Sequence, residues 1–141
     1  MESSSQRKRI VVIDRQEHWR KLSVQALTEA GFLVHAVDSY EYPPPSSHSQ
    51  NGAPDLVVLG CARIGLEEQA LISRILEQKE PLLVLSTALS WKVMRALFLV
   101  GASDVEDKPY DPGRLIEVVQ EALASTASRD NYKAVEQEGV S

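Results

Sequence analysis

The chain has a single cysteine, Cys61, among its 141 residues. One thiol excludes an internal disulfide framework and fits a reducing compartment, with the cytoplasm as the default. No apolar run approaches the roughly 18 residues of a membrane span, and no segment has the make-up of a signal peptide. Aromatic residues are few, at 6%. The three histidines, His18, His35 and His48, share no ligand spacing, so no metal site is expected. Positive charge is not in excess either. With 15 Lys and Arg against 20 Asp and Glu, the net charge is -5, which argues against a nucleic-acid-binding surface. The one basic run, Arg7-Lys8-Arg9, reads as a solvated lead-in to a strand. No nucleophile–base set can be assembled, so no enzymatic activity and no cofactor are expected.

What is present is a globular composition, 43% hydrophobic and 25% charged. The length suits one domain with a real core. Residues 1–8 read as a disordered lead-in, 9–125 as the domain, and 126–141 as a polar tail or linker stump.

Two continuous apolar runs, Ile10–Ile13 and Leu56–Leu59, lack the alternation of a half-exposed strand. They suit strands buried on both faces, in the middle of a parallel sheet. Asp14-Arg15-Gln16-Glu17 has the spacing of a capping box, and Trp19, Leu22, Ala26, Leu27 and Ala30 recur at helical spacing with Ser23 among them. Gly31 is the expected left-handed cap, and Phe32–Val37 the next strand. The stretch Tyr42–Pro54, with Pro43-Pro44-Pro45 and then small polar residues, predicts a loop where a helix would otherwise follow.

Leu66–Lys79 predicts a helix, Leu82–Leu85 a strand and Ser90–Val100 a helix capped by Gly101. Asp104–Glu106 predicts a short strand, and Asp111-Pro112 opens a last helix with Leu115, Val118, Val119 and Ala122 inward. Five strands alternating with helices predict an α/β fold with a doubly wound parallel sheet. In such sheets the functional crevice lies beyond the carboxyl ends of the strands, here at Gly60.

Several segments together resemble the receiver domains of two-component response regulators. They are Pro81-Leu82-Leu83-Val84-Leu85-Ser86, Gly101-Ala102-Ser103-Asp104, Lys108-Pro109-Tyr110-Asp111-Pro112, and in the first half Val11-Val12-Ile13-Asp14 and Pro54-Asp55-Leu56-Val57-Val58-Leu59. The resemblance spans about Arg9 to Leu123 and implies the flavodoxin-like strand order 2-1-3-4-5. It also implies a pocket in which an acidic pair holds Mg²⁺, an aspartate accepts a phosphoryl group, and a lysine and a Ser/Thr bind that group.

The carry-over is uneven. Lys108 and Ser86 match the lysine and the hydroxyl, and Asp14 matches the second acid. The first acid falls on Ile13 and the acceptor on Gly60, neither of which can do the chemistry. The proline usual four positions later is Ile64, and the usual aromatic of the fifth strand is Val105. Asp55 starts its strand and lies far from the carboxyl edge, and Glu67 and Glu68 lie in the next helix, so none replaces the acceptor. The resemblance therefore points to a degenerate pseudo-receiver with a vestigial pocket of Ile13, Asp14, Gly60, Ser86 and Lys108.

Lys108 has two readings, an ion pair with Asp14 that closes the crevice, or capture of an anion or a partner's acidic side chain. The resemblance also implies a cis Lys108–Pro109 bond. Cys61 reads as a small apolar filler rather than a reactive thiol. The helix Ser90–Val100 is apolar nearly all round: Val93, Leu97 and Val100 point inward, Met94 and Phe98 flank them, and Leu99 sits with Lys92 and Arg95. Either the core is deeper there, or Trp91, Lys92, Arg95, Leu99 and Val105 belong to a protein–protein interface with the last helix. The expected function is regulatory binding, to a protein partner or a second copy. The alternative is a small-ligand or nucleotide-binding module using the crevice around Gly60, Ser86 and Lys108, although no glycine-rich phosphate loop follows the first strand. The proline-rich loop is a second candidate contact segment.

Overall fold

The computed structural model describes residues 7–44, 53–99, 104–109 and 111–140, with side chains as far as 126. The elements run β1 (Arg9–Ile13), α1 (Glu17–Glu29), β2 (Leu33–Val37), β3 (Leu56–Cys61), α2 (Leu66–Glu77), β4 (Leu82–Ser86), α3 (Trp91–Leu99), β5 (Asp104–Asp107) and α4 (Pro112–Val140). The five strands are parallel, as the apolar runs predict, and lie in the order β2-β1-β3-β4-β5 that the resemblance implies. Every residue of β3 and β4 is buried, because both faces of the central strands carry a layer.

Alternation along the strands divides the core in two. Ile10, Val12, Leu56, Val58, Leu83 and Leu85 face α1 and α4, where they meet Trp19, Ala26, Leu27, Leu115, Val118, Val119 and Ala122. Val11, Ile13, Val57, Leu59, Leu82, Val84 and Val105 face the other layer, where they meet Leu71, Ile72 and Ile75 of α2 and Leu97 of α3.

This second layer lacks a helix between β2 and β3 among the described residues. Two tyrosines take part of its place. Tyr40 and Tyr42 are 9% and 8% exposed and belong to the core. Their polar tips are tied to α2 and the turn after it: Tyr40 Oη donates to Glu68 Oε2 at 3.0 Å, Tyr42 Oη donates to Glu80 Oε1, and Arg74 donates to the Tyr40 carbonyl at 2.7 Å. Tyr42 is thus core rather than contact surface, while Pro45 and the small polar residues after it, 46–52, lie outside the described residues.

Local details amend the sequence reading. Gly31 adopts the predicted left-handed conformation, with φ +101°. α1 begins two residues later than a box at Asp14 requires: Gln16 is its N-cap, with no side-chain cap, and Asp14 Oδ1 instead accepts the Gln16 N–H at 2.8 Å. Ser90 and Asp111 do cap, accepting the N–H groups of Val93 at 3.2 Å and Arg114 at 3.1 Å. The predicted cap at Gly101 lies outside the described residues. The Tyr42–Pro43 bond is cis, whereas Lys108–Pro109 is not. α4 continues past Thr126, where a tail is expected. Between Arg114 and Glu138 it has neither glycine nor proline to interrupt it. Among the described residues no helix is long and apolar enough to cross a membrane.

Candidate functional site

The order 2-1-3 reverses direction at β1, so the ends of β1 and β3 form a switch point. The register sets Ile13 beside Leu59 and Gly60 beside Leu85, with Ser86 beside Cys61 and Asp107. Asp14 and Lys108 follow directly on β1 and β5. All the residues the sequence assigns to the pocket therefore converge at one sheet edge. What they form there is a closed cluster.

Lys108 Nζ lies 2.9 Å from Asp14 Oδ2, with the two side chains 3% and 1% exposed. The ammonium also donates to Gln16 Oε1 and lies 4.6 Å from the centre of the Trp19 ring. Asp14 Oδ2 takes no aligned hydrogen bond, so its contact with the ammonium is chiefly Coulombic. Trp19 covers the cluster: its Nε1–H donates to the Pro109 carbonyl at 3.2 Å. The ion-pair reading of Lys108 fits this geometry, and no ammonium is left facing solvent to capture an anion.

Gly60 explains how the carboxylate fits. A Cβ at position 60 would come closer than 3.0 Å to Asp14 Oδ2 and within 3.1 Å of a Trp19 ring carbon. The space a side chain at position 60 would need is thus filled from the other side by Asp14 and Trp19. Ser86, fully buried, donates to the Ala62 carbonyl at 3.1 Å and accepts the Ala88 N–H at 3.3 Å. Gly60, Ser86 and Lys108 are all buried, so none of the three faces an open crevice among the described residues.

The residues do not fit the divalent cation that the fold's resemblance implies. Ile13 is fully buried in the aliphatic core, Gly60 offers no side-chain oxygen, and the remaining carboxylate already faces an ammonium. Among the described residues no group of three or more His, Cys, Asp and Glu is placed to hold a metal. Cys61 is 4% exposed, and burial pushes its thiol pKa up to about 11, so it is a filler and not a nucleophile.

Two members of the cluster, Gln16 and Trp19, are absent from the site as read from sequence. Trp19 does lie on the predicted inner stripe of α1. Its position in the first turn, against the strand ends, is the signal that it also reaches the pocket.

The second predicted site divides. Val105 is 2% exposed within the core and cannot touch a partner. Trp91 and Leu99 are 69% and 77% exposed, with Lys92 and Arg95 exposed beside them. The deeper-core reading of α3 therefore fails: among its described residues only Leu97 is buried and Phe98 is itself 46% exposed, while Val100 lies outside the described residues. Val93 and Leu97 instead line one side of a cleft of about 270 Å³, with Ile72 and Leu76 of α2 opposite.

No protein-family model matches the chain, and no curated protein sequence does. Solved structures do match it. A response regulator from Thermotoga maritima is 24% identical, with TM-score 0.72, over 84% of this chain and 99% of that one. NtrX from Brucella abortus, solved in complex with ADP, is 25% identical with TM-score 0.74, over 95% of this chain but 30% of that one. A CheY-like receiver domain protein from Methanospirillum hungatei JF-1 is 18% identical with TM-score 0.70, over 88% and 99%. The fold is therefore that of the response-regulator receiver domains, with one helix fewer among the described residues.

Proposed function

We propose that the protein is a pseudo-receiver: a regulatory protein-interaction module of a two-component-type signalling or transcription-control pathway, acting in the cytoplasm and independent of aspartyl phosphorylation. The observation that carries the reading is the closed cluster over Gly60. The acceptor position has no carboxylate, and the space one would need holds the Asp14–Lys108 pair under Trp19. A phosphoryl group has neither a nucleophile nor a free cation to meet it. Control then comes from binding itself, since an equilibrium shifts only through differential interactions. The face formed by α3 and α4 on either side of β5 is where a protein partner or a second copy binds.

Incubation with a small-molecule phosphodonor and Mg²⁺, followed by intact mass, tests this. The mass stays unchanged if the reading holds. A stable gain of about 80 Da, mapped to an aspartate, refutes it.

A further inference from the structure

We propose that the free edge of β2 pairs antiparallel with β2 of a second copy, joining two five-stranded sheets into one. This goes beyond the partner surface of α3 and α4. It uses the opposite edge of the sheet, on the side where the second layer lacks a helix.

Among the described residues no strand lies beyond β2 or β5, so these two are the edges. An edge strand presents unpaired N–H and C=O groups, and proteins guard such edges with charge, proline or a bulge. β5 is guarded in this way. Asp104, Glu106 and Asp107 are three of its four residues, and pairing two such edges would set carboxylates side by side. β2 is not guarded. Its sequence, Leu33-Val34-His35-Ala36-Val37, holds no Asp, Glu, Lys, Arg, Pro or Gly. None of its residues is buried, and Leu33 is 45% exposed.

The ladder with β1 fixes which backbone groups are free. The Leu33 N–H donates to the Lys8 carbonyl at 2.9 Å, and the Val37 carbonyl accepts the Asp14 N–H at 3.2 Å. Leu33, His35 and Val37 therefore turn their backbone groups to β1, while Val34 and Ala36 turn theirs outward. The side chains of Leu33, His35 and Val37 share a face with Arg9, Val11 and Ile13, on the layer short of a helix. Those of Val34 and Ala36 pack on the side of α1 and α4.

A twofold axis through His35 uses the whole strand. It sets Val34 opposite the second copy's Ala36, so the outward groups on both strands meet as hydrogen-bonded pairs. It sets Leu33 opposite the second copy's Val37, an apolar pair at the closer, non-hydrogen-bonded spacing. Charge favours the same direction. Exposed Arg7 and Lys8 lie at the Leu33 end of the edge, and exposed Asp38 follows Val37. Antiparallel pairing brings the basic end of one copy towards the acidic end of the other, whereas parallel pairing sets like beside like.

Sedimentation of the full chain up to about 1 mM, the edge of measurable affinity, should show a dimer that grows with concentration. Ala36→Pro removes one outward N–H and leaves the ladder to β1 intact, and Leu33→Lys puts a charge on the edge. Each should move the midpoint at least tenfold higher. Position 33 is exposed, so Leu33→Lys decides the matter if the proline variant melts early. Two cysteine variants test the register. On the axis, His35→Cys sets two thiols on Cα atoms about 4.5 Å apart, within disulfide reach, and mild oxidation should give a covalent dimer. Val34→Cys faces the second copy's Ala36 and should not, and the native Cys61 is buried in both. A monomer throughout overturns the proposal, as does a dimer undiminished by Leu33→Lys or equal cross-linking of the two cysteine variants. A dimer abolished by Leu99→Asp overturns it too, and assigns the contact to α3.

Discussion

Replacing Lys108 by methionine removes one ion from the buried pair and keeps most of the side chain's volume. At 2.9 Å and an effective dielectric of about 20, the attraction is about 6 kcal/mol. Burying the two ions costs several kcal/mol each, so the pair as a whole is near neutral against an apolar replacement. What is large is the cost of leaving Asp14 alone. A buried carboxylate stripped of its counter-ion costs about 3–5 kcal/mol, a substantial part of the roughly 5–15 kcal/mol that holds a domain folded. At about 4 °C per kcal/mol for a chain of this length, the melting temperature should fall by about 12–20 °C. The matching test is the Asp14→Asn/Lys108→Met double variant, which leaves no orphan charge and should recover at least about 2 kcal/mol of the loss. Urea midpoints for the wild type, the single variants Lys108→Met and Asp14→Asn, and the double variant close the cycle. A single-variant loss under about 1 kcal/mol, or strictly additive losses, would show that the pair is solvated and that the pocket is open.

Three further outcomes follow from local geometry. Gly60→Ala should cost about 1–3 kcal/mol in a urea titration, because its Cβ must displace Asp14 or Trp19; a neutral result would mean the cluster yields freely. Lys79, at the end of α2 with φ +60°, holds a conformation that costs an L-residue about 1–2 kcal/mol, so Lys79→Gly should raise stability by about 0.5–1 kcal/mol, after its greater unfolded-state entropy. Burial holds the Glu80 carboxyl above its ordinary pKa, against the opposing hydrogen bond from Tyr42. The folded state then takes up this proton before the unfolded state does, so Glu80 makes the protein more stable as pH falls through that raised value. Glu80→Gln should flatten the stability profile just above the ordinary glutamate range, and parallel wild-type and variant profiles would contradict this.

The sheet was legible because its evidence is local. Unalternating runs such as Leu56–Leu59 have no stable place except between two layers, and five strands mostly separated by helices leave few topologies. Where the reading fell short, the cause is contact between residues distant in sequence. Tyr40 and Tyr42 fill a missing helix's share of the core, yet tyrosines beside a proline run show no periodicity. Trp19 reaches Pro109 across 90 positions of sequence, and Lys108 reaches Gln16 across 92. Asp14 looked like a helix cap because of its spacing, but a buried ammonium nearby competes for the same carboxylate. The exposure of α3 was undecidable for a different reason. An apolar helix face is compatible with burial and with binding, and only the absence of a covering layer over Trp91 and Leu99 separates them.

On the proposed pseudo-receiver reading, Ile13 and Gly60 belong to one arrangement rather than to two accidents. An acid at position 13 would have to lie among Val11, Leu59 and Val84, in a layer that is entirely apolar there, so that site now serves the core. With no divalent cation held, Asp14 needs another positive partner, and Lys108 is the one within reach. Their approach requires a residue without a side chain on β3, and Gly60 provides it. Trp19 then fits only because both the glycine and the neutralised pair lie beneath it. Each member thus fixes the next, and the dependence has a direction: restoring aspartate at position 60 alone would set a second carboxylate against Asp14 with a single lysine between them. That variant should lose stability and still take up no phosphoryl group, because Ile13 would still offer no ligand to a cation and Trp19 would still cover the cluster.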